Sequence, residues 1–361
     1  MSSSSSALDA RLGAWLGAHA LSLDTESLLA GELLPRLSES GVFGAGVPEA
    51  EGGTGGDVTD AVEAVAAVSE RSLAAGFVLW GHRSYIEYLL QSPNEALRAA
   101  LLPDLLAGRV AGATGLSNAM KFLAGLERLQ VNARPEGEGY VLDGKLPWVS
   151  NLRVQGFHVA AAVSRANDEG AFVASLAHDD PGVRRSPDLD LMGLRATSTA
   201  ALDIDHARID ADRIIHPDAG AWLPAARPAF LGLQCGMSIG LARCALNEAR
   251  GCLGPGRGAL AEPIAVLAEA LDGLERELRE GLRSGAFHSR PAALFRIRIA
   301  LADVVAQAVG LELQGSGGKA YLSAPGAAFG RRWREAAFIP VITPSLLQLK
   351  TALAAQRESA A

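Results

Sequence analysis

Trp148 and Ser150 stand at alternate positions of the segment Gly139 to Asn151, GYVLDGKLPWVSN. Alternate residues of a strand emerge on one face, so an indole and a hydroxyl come out side by side. Such a pair suits a flat, partly polar ligand: the indole covers a ring, and the hydroxyl or its backbone amide bonds the ring edge. A core tryptophan beside an ordinary strand serine fits the same pattern, and the segment alone leaves both readings open. Tyr140, Val141 and Leu142 read as a short strand, and Asp143-Gly144 is a strong two-residue hairpin signal. That predicts a tight turn there, with Trp148 and Ser150 on the return strand.

The elements that must position this pair fall into three stretches. Leu8, Leu12, Trp15 and Leu16 recur at helical spacing, and Thr25 to Ser38 repeats the theme. Gly41 to Gly56 is a glycine-rich turn without the Lys-Ser/Thr ending of a nucleotide loop, which reads as a connector between packed helices. Asp57–Leu73, Phe77–Gln91 and a helix opened by Ser92-Pro93-Asn94 complete a helical region over residues 1–109, with Asp57 or Thr59 as a cap. His82, mid-helix among apolar neighbours, reads as a hydrogen-bonded core histidine rather than a ligand contact.

From Val110 the texture changes to short Val-, Ile-, Ala- and Thr-rich segments separated by Gly, Asp and Pro. The candidates are Val110–Thr114, Leu129–Pro135, Tyr140–Leu146, Phe157–Ser164, Ala171–Ala177 and Ala200–Asp205. That spacing predicts an antiparallel sandwich or barrel over 110–220. After Pro224 helices return: Phe230–Gly251, Pro263–Ser284, Pro291–Gln314 and Pro344–Gln356 form a bundle over 221–361. Gly236 and Gly240 predict close packing of the first of these on a neighbour. The fold class is therefore α+β, ordered helical, β, helical.

Composition narrows the function. The net charge of −7, with no interleaved basic and aromatic stripe, excludes a nucleic-acid footprint. No uninterrupted apolar run is read as long enough to span a bilayer, and the opening Met1 to Ser6 reads as a frayed tail rather than a signal peptide. Cys235, Cys244 and Cys252 fit no zinc spacing, so no metal is expected. They read as free, largely buried thiols of a cytoplasmic protein.

Four segments in register carry a resemblance. Val47 to Gly56 (VPEAEGGTGG) follows P-E-x-x-G-G-x-G, and the Trp148–Ser150 segment follows a strand with Trp-x-Thr/Ser after Asp-Gly. Met192 to Thr199 (MGLRATST) follows M-G-x-R-x-S-x-T, and Gln314 to Tyr321 (QGSGGKAY) follows Q-x-x-G-G-x-G-Y. Together they resemble the acyl-CoA dehydrogenase superfamily across nearly the whole chain. The resemblance implies a flavin, FAD or else FMN, between the middle domain and the C-terminal bundle. It implies that Trp148 covers one ring face, Ser150 meets the N5/O4 edge, and Thr114 contacts the pyrimidine end.

Three departures follow from the same comparison. The family's T-E-P-G-A-G-S-D pyrophosphate segment is here Thr114 to Lys121, TGLSNAMK, where Ser117 or Asn118 substitutes for the Gly-Ser donors and Lys121 adds a cation. The Arg-x-x-Phe-Gly motif that reaches a neighbouring subunit's adenosine is shortened, with Arg257 as the stand-in. Gly317 and Gly318 of the retained glycine loop keep backbone amides for such a neighbour. The catalytic Glu of the family's Y-E-G-T segment is replaced, in register, by Thr343, and the alternative base site falls near Ala229 and Phe230. A Thr hydroxyl does not act as a general base at neutral pH. Glu335, within Arg331 to Glu335, reads as part of a solvated or interface face.

Three functions remain open. One is desaturation of an acyl thioester such as an acyl-CoA. A second is monooxygenation by reduced flavin and O2, with a partner flavin reductase. The third is an inactive binding or structural member of the fold. In each, the resemblance implies a homodimer or homotetramer.

Overall fold

The computed structural model describes residues 8–123, 127–166 and 170–358; the Met1–Ser6 tail lies outside them. Five helices lead: α1 (Ala10–Thr25), α2 (Ala30–Glu39), α3 (Val58–Arg71), α4 (Leu73–Leu90) and α5 (Glu95–Leu106). Asp57 starts α3 as half of a reciprocal cap. Its carboxylate accepts from Thr59 N at 2.7 Å, and Asp60 returns the bond to Asp57 N at 2.9 Å. The glycine-rich stretch before it is a tight connector. Gly46 has φ +69°, and a Cβ there would lie 2.2 Å from the Asp57 carbonyl oxygen.

The middle region runs β1 (Ala111–Thr114), α6 (Ser117–Leu123), β2 (Val131–Glu136), β3 (Gly139–Val149), β4 (Phe157–Arg165), β5 (Ala171–Ala177), β6 (Val183–Arg185), β7 (Ala200–Ile209) and β8 (Ile214–His216). The strands form one sheet in the order β6-β7-β3-β2-β4-β5-β8, with β1 alongside β4. The expectation of an antiparallel arrangement needs correcting, because β1–β4 and β2–β4 pair in parallel and the sheet is mixed. Parallel pairing requires a long crossover between the two strands. The segments after β1 and β3 provide it.

The predicted Asp143-Gly144 turn is also corrected. β3 passes straight through it, with Asp143 opposite Asn132 and Gly144 opposite Val131 on β2. The hairpin turn between β2 and β3 is at Gly137-Glu138 instead, where Gly137 has φ +62°. Asp143 lies opposite a bulge of β7, where Asp205 and His206 face it and His206 has φ +54°. The register against β7 slips between Leu142 and Gly144, and a Cβ on Gly144 would stand 2.1 Å from the Gln130 carbonyl oxygen. A strand flanked on both sides has no room to reverse, so β3 continues through the glycine, whose missing Cβ admits the β2 backbone.

The C-terminal part holds α7 (Ala219–Gly251), α8 (Ala261–Arg283), α9 (Ala286–Ser289), α10 (Pro291–Ser316), α11 (Ala327–Phe338) and α12 (Leu346–Glu358). α7 begins well before the expected Phe230 and carries Pro224 and Pro228 within it. Burial of its length against α3, α4 and α10 overrides the local cost of the prolines. Gly236 and Gly240 allow this approach, since a Cβ on Gly240 would meet the Ala66 carbonyl oxygen at 2.1 Å. By length and apolarity α7 and the stretch Ala327–Gln356 could each cross a bilayer, contrary to expectation. α7 is mostly buried in the protein core, and the second stretch is interrupted by a 3-10 turn at Ile339–Val341.

α11 was not anticipated, and its charges are not solvated. Glu335 is fully buried, accepting from Leu73 N at 3.0 Å and from Arg331 Nη1 at 2.7 Å. Arg332 Nε donates to Glu312 on α10 at 2.9 Å, and Arg334 Nε to Asp24 on α1 at 2.8 Å. Charges are buried here because each meets a partner on another turn or element, a pairing that chain order does not reveal.

Candidate functional site

Trp148, near the end of β3, is 62 % exposed, while the next residue, Val149, is buried. A large indole left in solvent beside a packed strand is available to cover a ring. Ser150 Oγ lies 2.7 Å from Thr199 Oγ1, which lies 2.8 Å from Thr197 Oγ1, which donates to the Leu194 carbonyl at 2.8 Å. The Met192–Thr199 segment is thus brought against Ser150. Backbone bonds fix it there, from Asn151 N to Thr197 O at 2.8 Å and from Leu152 N to Ser198 O at 3.1 Å.

Asn151 links this turn to β1 by donating its side-chain amide to the Gly112 carbonyl at 2.8 Å. The other side of Gly112 belongs to His82. The Gly112 N–H donates to Nδ1 at 2.9 Å, and Nε2 donates to the Leu105 carbonyl at 2.9 Å. Accepting at one nitrogen and donating at the other makes the ring neutral. Burial lowers its pKa to about 4. His82 is therefore a structural tie between α4, α5 and β1.

Two residues beyond Gly112, Thr114 Oγ1 lies 3.0 Å from the buried Tyr88 hydroxyl. From Tyr88 an aromatic wall runs inward. Tyr88 touches Trp222 and Phe230, Phe230 packs on Trp80, Trp80 stacks on Phe77 at 5.2 Å, and Phe77 meets the edge of Phe338 at 4.9 Å. Phe338 opens directly into the segment that carries Thr343. Thr114 stands at one end of this apolar wall and Phe338, five residues before Thr343, at the other, with Phe230 within it.

The Thr343 segment is held by two polar side chains that the sequence reading missed. Gln234 Nε2 donates to the Thr343 carbonyl at 3.0 Å, and its Oε1 accepts from Arg298 Nε at 2.9 Å. Arg298 Nη2 donates to the Ile339 carbonyl at 2.8 Å. Both are fully buried, and a lone polar residue inside an otherwise apolar helix face is the signal that could have found them. Glu335, the nearest carboxylate in the sequence, is fully buried and bonded to Leu73 N and Arg331.

The phosphate-side residues divide. Asn118 is spent within the protein: its amide donates to Glu127 and to the Arg128 carbonyl, and its oxygen accepts from Gln130 N. It therefore does not replace the missing pyrophosphate donors. Ser117 opens the seven-residue α6, and the Lys121 side chain lies outside what is described. Arg257 donates to the Cys252 carbonyl at 3.2 Å, and Cys252 Sγ lies 3.4 Å from Ser316, next to Gly317 and Gly318. These three residues gather at the far end of α7, about 30 Å from Phe230 at 1.5 Å rise per residue. Within one chain they do not reach the Trp148 end. The ring-side residues thus fit a flavin, and the phosphate-side residues of the same chain do not complete it.

Residues 16–109 match the family described as acyl-CoA dehydrogenase, N-terminal domain. The chain is 28 % identical over 202 residues to the mitochondrial isovaleryl-CoA dehydrogenase of Pongo abelii, covering 53 % of this chain and 47 % of that protein. It is also 28 % identical over 247 residues to the amino sugar nitrososynthase DnmZ of Streptomyces peucetius, covering 63 % and 58 %. The chain spans about half the length of the first curated relatives it matches. The structure superposes on a glutaryl-coenzyme A dehydrogenase–glutaryl-CoA complex with TM-score 0.84 and 18 % identity, over 99 % of this chain and 96 % of that one. The helical–sheet–helical arrangement is the acyl-CoA dehydrogenase fold. Residues 16–109 thus carry the acyl-CoA dehydrogenase N-terminal domain, and the chain as a whole has the fold of a family of flavoproteins that hold FAD or FMN.

Proposed function

We propose that this protein is a flavin-dependent monooxygenase, using reduced flavin from a separate reductase, with O2, to oxidise a small-molecule substrate. The observation that carries this reading is the Thr343 segment. By register with the family's base segment it carries a threonine, and Glu335, eight residues before it, is bound elsewhere. α-Proton abstraction from an acyl thioester needs a base of suitable pKa within hydrogen-bond reach, and a threonine hydroxyl is not one. Bound reduced flavin supplies the two electrons with which O2 yields one inserted oxygen atom and one water.

The chain's own residues supply the rest. Trp148 covers the ring, and Thr114, oriented by Tyr88, and Ser150 meet its polar edge. The wall of Phe77, Trp80, Phe230 and Phe338 excludes water from the reacting face. The nitrososynthase relative supports this class of chemistry. The isovaleryl-CoA dehydrogenase relative, at the same identity, keeps acyl-CoA desaturation as the second reading. The committed Asn118 keeps an inactive, binding member as the third.

Anaerobic mixing of the oxidised flavoprotein with acyl-CoA esters of several chain lengths separates these readings. Persistence of the oxidised flavin spectrum is expected, together with faster O2 uptake when reduced flavin is supplied. Rapid bleaching by an acyl-CoA would overturn the proposal in favour of desaturation, and absence of flavin binding would favour the inactive reading.

A further inference from the structure

We propose that Ser150 presents the ring edge beside Trp148 with a hydrogen-bond acceptor and not a donor, so that the site selects reduced over oxidised flavin. The inference rests on the flavin reading above and concerns which redox state this chain holds. A hydroxyl has one hydrogen to donate and two lone pairs to accept with, so a chain of hydroxyls ending on a carbonyl has a fixed direction. The Leu194 carbonyl can only accept, and Thr197 Oγ1 spends its single hydrogen there at 2.8 Å. The 2.8 Å bond between Thr197 and Thr199 therefore takes its hydrogen from Thr199. The 2.7 Å bond between Thr199 and Ser150 in turn takes its hydrogen from Ser150. Ser150 is left with lone pairs alone to offer a ligand.

The anchoring of the chain makes this direction hard to reverse. Thr197 is fully buried and Thr199 nearly so, so water is kept from taking either one's place. The Leu194 end is fixed by its N–H, which donates to Asp24 Oδ1 at 2.8 Å, and Asp24 is held in turn by Arg334. Thr199 is fixed through its carbonyl, which accepts from Leu189 N at 2.9 Å. Reversing the chain would leave the Leu194 carbonyl with only the longer bond from Thr197 N, at 3.2 Å, and would cost about one hydrogen bond. Oxidised flavin has a lone pair at N5, which would face the lone pairs of Ser150. Reduced flavin carries hydrogen at N5 and can donate to them.

The test compares affinities of the two redox states for FMN and FAD, by anaerobic titration and by the reduction potential of the bound flavin. In Thr197→Val the terminal link is gone. Thr199 is free to donate to Ser150, and the Ser150 hydrogen is released toward the ligand. The ratio of oxidised to reduced affinity should rise about tenfold, lowering the potential by about 30 mV. Thr197→Ser keeps the chain and should match the wild type; Ser150→Ala should weaken reduced flavin alone. An unchanged ratio in Thr197→Val, with a shifted one in Ser150→Ala, would overturn the proposal. Neutron diffraction of the deuterated protein without ligand reads the direction independently. Deuterium on Ser150 pointing to Thr199 is expected, and deuterium on Thr199 pointing to Ser150 would overturn it. If neither redox state of FMN or FAD binds, the flavin reading itself fails, while the neutron map still decides the direction of the chain.

Discussion

The carbonyl of Thr343 is held at 3.0 Å by the side-chain amide of Gln234, which ties the segment before α12 to α7. Behind Gln234 stands Arg298, fully buried, with Nη1 unpartnered and no carboxylate paired with it among the described residues. Burial lowers the pKa of its guanidinium. Gln234→Leu would strand both the Arg298 Nε and the Thr343 carbonyl, and should cost about 3 kcal/mol. Arg298→Met removes the charge along with its bonds and should cost less. In the double variant the loss should be smaller than the sum of the two, as urea unfolding would read.

Stability should fall as pH drops from about 6.5 toward 4. Burial lowers the pKa of His82 to about 4 in the folded protein, from an ordinary 6.5. The unfolded chain therefore binds the extra proton between those values. The contribution is full above pH 6.5 and is lost as pH falls through the folded pKa, with a limit of about 3 kcal/mol. Burial shifts His158 in the same direction, also to about 4. Unfolding midpoints measured at pH 7, 6 and 5 should show the slope, and His82→Gln should flatten part of it.

Removing the exposed indole should weaken flavin binding without unfolding the protein. Trp148→Ala deletes a side chain that is 62 % exposed, so its melting temperature should move little. Flavin affinity should fall about tenfold, the scale of one aromatic stacking contact. Fluorescence titration with FMN and FAD checks this, and an unaltered affinity would remove Trp148 from the site.

The protein should assemble as a homodimer or homotetramer. Arg257, Gly317 and Gly318 gather at the end of α7 remote from Phe230, and the resemblance implies that such residues serve a neighbouring copy. Tyr321 and Leu322 beside them are exposed apolar side chains at 91 % and 56 %. An apolar groove lined by Val266, Leu267, Val304 and Leu311 runs between α8 and α10, and such patches mark association surfaces. Light scattering at micromolar concentration should give a multiple of the 37.4 kDa chain; a stable monomer would contradict it.

The three-part order, the helix periods, the Asp57 cap and the glycine contact of α7 were legible in the sequence because each is a local or strictly periodic signal. The Trp148-x-Ser150 pair was legible as a motif, but its strand alternation was not kept: Pro147 and Trp148 lie together opposite Ala201 of β7, and Ser150 lies beyond the end of β3. What tertiary structure decided was every partnership between distant residues. Asp-Gly stayed inside a strand because β2 and β7 flank β3 on both sides, and the bulge fell on β7 opposite Asp143. Arg331, Arg332 and Glu335 became a buried set because Leu73 and Glu312 arrive from elsewhere in the chain. His82 was settled as a tie by the backbone of residues 105 and 112, and Asn118 was withdrawn from phosphate binding by residues 127 to 130. The direction of the Ser150 hydroxyl depends on a carbonyl 44 residues away at Leu194. A hydrogen bond carries no signature in the sequence of either partner, so its donor and acceptor are known only once folding has brought them within about 3 Å.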